Sequence, residues 1–334
     1  MADNFITVID GSSVRSLLPY PDCITAVREA MIATSAGEAG LPLRQRMMLP
    51  NSRDSLGMMP GYLRDPACFG IKLSSLFPNN SAQGRSSHLG VYLLYDGDTG
   101  QPLALINAAE LTAIRTASAS AVATLCLMRG DSTRLTVMGA GEQAHAHIDA
   151  LLAAHPFADV VIWARHAEKA ELLAEHFRRK YAATPNLTIT SCPDAAEAVA
   201  QADVICTVTG AATPILKGEW LRAGTHVNLV GSSFPDRCEI DETGVTRSRF
   251  FVDYRPSAMA QAGELLSAIK SGAVTEACIV AEIGEVLCGK SPGRLHDRDI
   301  TIYKSLGIAA QDLSAAWHVY QESRRRNAGA RVTL

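Results

Sequence analysis

Val137-Met138-Gly139-Ala140-Gly141-Glu142-Gln143-Ala144 sets a glycine-rich turn between a short apolar run and an amphipathic helix, and its reading decides the fold. Arg134 to Met138 reads as a buried strand, Gly139 and Gly141 allow a tight turn with close backbone approach to a pyrophosphate, and Ala144 lets the following helix pack closely on the sheet. The helix from Glu142 then aims its first amides at the phosphates. A bare G-x-G-x-x-A recurs by chance, so the surroundings must carry the inference.

They agree with it. The next apolar run, Val160-Val161-Ile162-Trp163, leads into Ala164-Arg165-His166, where an NAD enzyme offers an acid to the adenosine ribose. No carboxylate stands there. Arg165 can pair with a 2′-phosphate and His166 can add a hydrogen bond, so the expected cofactor is NADP(H), with NAD(H) possible. The bland alternative is a solvated arginine at a strand end.

From Val137 to roughly Lys304 strands and helices alternate, with strands expected at 134–138, 159–164, 187–191, 203–208, 225–230 and 249–253. Helices from Ala167 to Tyr181 and Asp194 to Ala200 separate several of them, which predicts an α/β fold with a doubly wound, Rossmann-type parallel sheet. Residues before about 115 read differently. A helix near Tyr20 to Ser35 precedes extended segments near 44–49, 68–76 and 89–95 that look antiparallel. Val91-Tyr92-Leu93-Leu94-Tyr95, a turn-rich Asp96-Gly97-Asp98-Thr99-Gly100 and Pro102-Leu103-Ala104-Leu105-Ile106 give a hairpin signal. Thr112 to Met128 is alanine-rich and helical and connects the two regions, and a last helix from about Asp312 to Arg325 returns to the first.

With 334 residues the chain can bury a sizeable core in each of two domains. Its formal net charge of -3 gives no electrostatic case for nucleic acid or a membrane surface, so a small molecule is the expected partner. Arg324-Arg325-Arg326 reads as a solvated helix end, where cations suit the dipole. The eight cysteines are scattered without a C-x-x-C pair, and His145 and His147 face different sides of a helix, so no metal site is expected. Neither a signal segment nor a spanning run is apparent, and the reading is a cytoplasmic protein with reduced thiols.

The ordered set Leu43-Arg44, Ile71-Lys72-Leu73, Ser87-His88, Ile114-Arg115-Thr116, Gly139 to Ala144, Thr207-Val208-Thr209 and Lys304-Ser305-Leu306-Gly307 resembles the ornithine cyclodeaminase and mu-crystallin family along nearly the whole chain. The resemblance implies a homodimer with an α+β substrate and dimerisation domain (1–115, completed by 308–334) beside a Rossmann domain (116–307). It implies that Arg44, Lys72 and Arg115 surround a substrate carboxylate. It further implies that Ser87, His88, Thr116, Gly139, Gly141, Glu142, Gln143, Ala164, Arg165, His166, Thr207, Thr209, Val230, Ser232, Leu306 and Gly307 line the cofactor. The residue chemistry is compatible: a guanidinium fork suits a carboxylate, and a lysine can supply a charge or a proton.

Each residue also has an ordinary reading. Arg44 could be a surface arginine, and Arg115 could snorkel from its helix. Lys72 interrupts an apolar strand, so it is either an edge residue or a buried charge with a task.

Gly231-Ser232-Ser233-Phe234-Pro235-Asp236-Arg237-Cys238-Glu239 follows a sheet strand at the end where this fold places its chemistry. Cyclodeaminases of the family carry an aspartate at the place of Ser233, whereas the ketimine-reductase-like branch resembles this chain in having serine. An uncharged hydroxyl neither holds an ammonium nor acts as a base. The expected activity is therefore NADPH-dependent reduction of a cyclic imino acid, Δ1-pyrroline-2-carboxylate to proline or Δ1-piperideine-2-carboxylate to pipecolate. Lys72, Arg115 and Ser233 are the expected catalytic residues. The alternatives are ornithine cyclodeamination, helped by Asp236 if its loop bends inward, an alanine-type dehydrogenase, and a non-catalytic protein that binds NADPH and an acidic ligand.

Overall fold

The computed structural model describes residues 5–50, 54–77, 79–80, 86 and 88–333. The chain forms β1 (Phe5–Ile9), α1 (Gly11–Leu17), α2 (Tyr20–Ser35), β2 (Ala39–Gly40), β3 (Gln45–Met48), β4 (Ser55–Leu63), β5 (Cys68–Leu76), β6 (His88–Asp96), β7 (Pro102–Asn107) and α3 (Ala108–Leu127). It continues with β8 (Arg134–Met138), α4 (Glu142–Ala154), β9 (Asp159–Trp163), α5 (Ala167–Lys180), β10 (Thr188–Ser191), α6 (Ala195–Ala200), β11 (Val204–Thr207), β12 (His226–Leu229) and α7 (Glu242–Thr246). Then follow β13 (Ser248–Val252), α8 (Arg255–Gln261), α9 (Gly263–Lys270), β14 (Ile279–Glu282), α10 (Ile283–Leu287), β15 (Ile300–Lys304), α11 (Ala309–Arg326) and β16 (Ala330–Thr333). Two compact units result, Met1–Arg115 with Gly307–Leu334, and Thr116–Leu306. Gly307, expected with the nucleotide-binding half, groups with the first.

In the first unit the strand order is β16-β1-β7-β6-β5-β4-β2, with β3 also on β4. All pairings are antiparallel except β1 with β7. The nine-residue β4 was not evident in the sequence, because Gly57, Pro60 and Gly61 suggest turns. Its neighbours explain how it holds: β3 pairs with Ser55 to Met58 and β2 with Tyr62 and Leu63, so Pro60 falls between them, where no ladder needs its missing N–H. Gly61 then lets α11 approach, since a Cβ there would stand 2.6 Å from that of Ala309. The buried stripe of α11, including Ala309, Asp312, Leu313, Ala316 and Val319, packs along β4 to β7 and against α2.

The second unit is a wholly parallel sheet in the order β10-β9-β8-β11-β12-β15-β13-β14. The strand order reverses between β8 and β11, which makes the carboxyl ends of these two strands the topological switch point. Central strands read as continuous apolar runs because both faces are covered: Leu135, Val137 and Met138 on β8 and Val204 to Cys206 on β11 are buried. The expected segment 187–191 is realised as Thr188–Ser191 and 203–208 as Val204–Thr207, while β14 and β15 add two strands.

Candidate active site

Lys72 lies in the middle of β5, opposite Met59 of β4 and Tyr92 of β6, so it is an interior residue and not an edge lysine. Only 5% of it is exposed. Its Nζ donates to Asp312 Oδ1 at 3.0 Å and to Thr112 Oγ1 at 3.3 Å, and stands 2.9 Å from Asp312 Oδ2. Arg115 does not snorkel. It is buried on α3, where Nε donates to Asp312 Oδ1 at 2.8 Å and Nη1 to Gln311 Oε1 at 3.0 Å. Arg44 donates from Nη2 to the Gly307 carbonyl at 2.9 Å. Gly307 has φ +76, and a Cβ there would sit 2.4 Å from Arg115 Nη1, so both the backbone and the guanidinium demand glycine.

The first unit thus gathers Arg44, Lys72 and Arg115 near one carboxylate, leaving an excess of positive charge suited to a small carboxylated ligand. Burial, with repulsion from Arg115 and Arg44 and against the pull of Asp312, brings Lys72 down to about 8. Burial alone would raise Asp312, but Arg115 and Lys72 outweigh it and hold the carboxyl below its usual range. Asp312 escaped the sequence reading. In the folded chain it shares the buried face of α11 with Ala309, Ala316 and Val319, where an acid needs a partner, and that partner lies 240 positions away in sequence. Tyr92, opposite Lys72, was also missed. Its buried hydroxyl has no hydrogen-bond partner among the described residues, and burial and then Asp312 push its phenol up, so it stays neutral.

In the second unit, β8 ends at the Gly139 turn. Gly139 has φ +141 and donates its N–H to the Trp163 carbonyl at 2.7 Å; a Cβ there would stand 2.9 Å from both Val208 Cγ2 and the Val208 carbonyl oxygen. The loops after β8 and β11 are therefore packed backbone to backbone at the switch point. Gly141 caps α4 with an extended backbone, and a Cβ there meets nothing within 4 Å. A bare helix N-terminus with room in front of it fits the pyrophosphate of a dinucleotide. Ala144 is fully buried, Glu142 exposed, and the buried Gln143 Oε1 has no partner among the described residues.

Ala164 is buried at the end of β9, and Arg165 and His166 beyond it are exposed at the start of α5. Among the described residues none pairs with Arg165, while His166 Nδ1 lies 3.6 Å from Glu168 Oε1.

Thr207 and Thr209 spend their hydroxyl protons inside the protein. Both donate at 2.7 Å to the carboxylate of Glu239, a fully buried residue that sequence reasoning did not single out. The Ser232 hydroxyl is likewise turned inward, donating to the Arg237 carbonyl at 3.2 Å. Val230 and Ser233 are half-buried and Asp236 is exposed. Thr116 is buried on α3, and the buried Leu306 donates its N–H to Asp253 at 2.9 Å. The Gly307 carbonyl accepts from Arg44, and the residue groups with the first unit. Ser87 lies outside the described residues, and of His88 only the backbone, at the start of β6, is described.

Residues 7–327 match the Ornithine cyclodeaminase/mu-crystallin family. The chain is 31% identical over 326 residues to the Delta(1)-pyrroline-2-carboxylate reductase of Bacillus cereus, covering 97% of this chain and 99% of that one. It is 37% identical over 279 residues to the ketimine reductase mu-crystallin of Mus musculus, covering 84% of each. Among solved structures, Thermococcus litoralis Delta(1)-pyrroline-2-carboxylate reductase in complex with NADH and L-proline superposes with a TM-score of 0.93 at 31% identity, covering 98% of this chain and 100% of that chain.

Proposed function

This chain belongs to the ornithine cyclodeaminase/mu-crystallin family, and from that premise we propose that it reduces the C=N bond of a cyclic imino acid with a nicotinamide cofactor. The substrates are Δ1-pyrroline-2-carboxylate, giving proline, and Δ1-piperideine-2-carboxylate, giving pipecolate. The observation that carries the reading is the buried Lys72–Asp312–Arg115 cluster with Arg44 beside it.

Arg44 and Arg115 grip the substrate carboxylate, and Asp312 holds Lys72 and Arg115 in fixed geometry. Lys72 Nζ is the proton donor for the ring nitrogen, or the charge that keeps that nitrogen protonated. An ammonium brought down to about 8 is charged at neutral pH and is easily parted from its proton. When bound, the reduced nicotinamide supplies the hydride for C2. Ser233 is read as an uncharged hydrogen-bonding wall, which lacks the charge to hold an ammonium for its loss.

The exposed Arg165, aided by His166, supports NADPH over NADH through the 2′-phosphate. A homodimer is supported by the first unit's sheet. Its residues Phe69, Ile71, Leu73, Leu89, Val91 and Leu93 form a partly exposed apolar face opposite the one that α11 covers. No helix among the described residues is long and apolar enough to cross a membrane, and eight free cysteines support a reducing cytoplasm.

The test is NADPH oxidation against a panel of cyclic and open imino acids, with NADH as comparator. Turnover of the five- or six-membered ring imines is expected. Release of ammonia and proline from ornithine with catalytic NAD+, and no imine turnover, would overturn it.

A further inference from the structure

Glu239 is wholly buried, yet its carboxylate collects four donors from two different loops. Oε1 accepts from the Thr209 N–H and the Thr209 hydroxyl, each at 2.7 Å. Oε2 accepts from the Thr207 hydroxyl at 2.7 Å and the Gly231 N–H at 2.8 Å. Thr207 ends β11 and Thr209 follows it, and Gly231 follows β12. One side chain therefore ties together the ends of two neighbouring parallel strands, on the side of the switch point away from β9.

The tie is tight. A Cβ on Gly231 would lie 2.0 Å from the Thr209 carbonyl oxygen and 2.4 Å from Glu239 Oε1, so the approach of the two loops excludes any side chain there. Glu239 itself is anchored on both sides. Its carbonyl accepts from the N–H groups of Ile215 and Leu216 at 2.9 and 3.0 Å, and its own N–H donates to Glu264 Oε1 at 3.1 Å. Glu264 is paired at 3.1 Å with Lys304, and both are fully inaccessible. Burying a carboxylate is costly, and burial still pushes the Glu239 carboxyl up against the pull of Lys304 and its donors, so its charge depends on all four donors and on both loops staying where they are.

We propose that Glu239 is a positioning residue for the nicotinamide half of the cofactor, holding the loops after β11 and β12 as one rigid ledge. This rests on the reading that the second unit binds a nicotinamide dinucleotide. In such folds the adenosine ribose lies beyond the end of the second strand, here β9, which leaves the other nucleotide to the β11–β12 side of the glycine turn. The candidate residues Thr207, Thr209, Val230, Ser232 and Ser233 all sit on this ledge. Thr207 and Thr209 act through Glu239, and what they offer the cofactor is correctly placed backbone.

The substitution Glu239→Gln keeps the shape but turns an NH2 toward one of two backbone donors, Thr209 N–H or Gly231 N–H, which must then move or go unpaired. NADPH affinity, read directly from the enhancement of nicotinamide fluorescence without any imino acid, is expected to fall about tenfold, while the imino acid KM at saturating NADPH stays within about twofold. Thr209→Val removes the hydroxyl that donates to Glu239 and accepts from the Ala211 N–H and should weaken NADPH about threefold, and Thr209→Ser should restore native affinity. Unchanged NADPH affinity in Glu239→Gln overturns the proposal even if the melting temperature drops. So does Thr209→Ser behaving like Thr209→Val, the pair that decides if the glutamine variant does not fold. A native chain that binds neither NADPH nor NADH would instead sink the underlying reading.

Discussion

Replacing Lys72 by methionine should abolish turnover and yet make the protein more stable. The ammonium has been brought from its ordinary 10.5 to about 8, with burial the largest influence. At about 1.4 kcal/mol per unit, keeping the charge inside costs about 3 kcal/mol after Asp312 has given what it can. Methionine fills nearly the same space without that cost, and Asp312 keeps Arg115 at 2.8 Å, so no carboxylate is left alone. The pH dependence follows from which state holds the proton. The unfolded chain keeps it to about 10.5 and the folded chain only to about 8, so native stability rises with pH across that window, and below it the penalty is complete. Lys72→Met should therefore exceed the native protein by about 3 kcal/mol near pH 7, on the order of 5–10 °C in melting temperature, and the gap should close by about pH 10.5. Denaturant unfolding and thermal melts across pH 7 to 10.5 measure this directly, and turnover should fall at least about a hundredfold. A variant that melts at or below the native protein at pH 7, or a gap that does not shrink with pH, would refute the claim that the lysine is held at a cost.

Three further outcomes are expected. Reduction measured as kcat/KM should be flat below about pH 8 and fall about tenfold per pH unit above it as Lys72 loses its proton, whereas the residual activity of Lys72→Arg should lack that limb; a limb that survives assigns the titration to the imine. Arg165→Asp should raise the NADPH KM at least about tenfold and leave the NADH KM within about twofold, and equal changes would remove Arg165 from cofactor choice. Gly307→Ala places a methyl 2.4 Å from Arg115 Nη1 at φ +76, so it should cost about 1–3 kcal/mol of stability and raise the imino acid KM with NADPH affinity unchanged; binding studies showing the reverse would detach Gly307 from the carboxylate clamp.

The parallel sheet was legible because its signals are local. Val137 to Ala144 carries a strand end, a turn and a helix start in eight residues, and buried parallel strands announce themselves as apolar runs. Lys72 could be suspected for the same reason, as a charge in an apolar strand. Asp312 and Glu239 could not. Asp312 meets Lys72 across 240 positions of sequence, and Glu239 meets Thr207 across 32, so each looks like an ordinary surface acid until the chain is folded. The threonines at 207 and 209 are a mixed case. Their position next to the switch point was readable, but that their hydroxyls face inward depends on a carboxylate no local pattern reveals. β4 was hidden because Pro60 is tolerated only through the gap between β2 and β3.

The return of α11 and β16 to the first sheet bears on how the protein is made. Residues 1–115 leave the ribosome first, yet the helix that covers their sheet, the antiparallel partner of β1 and the only acid seated on Lys72 and Arg115 among the described residues all come from 309–333. The second unit, contiguous from 116 to 306, can fold as it emerges, while the earlier segment must wait for the later one. During that interval Lys72 and Arg115 lack their counter-charge and the α11 face of the sheet lies open, so synthesis itself has a vulnerable window, and chaperone demand should concentrate there.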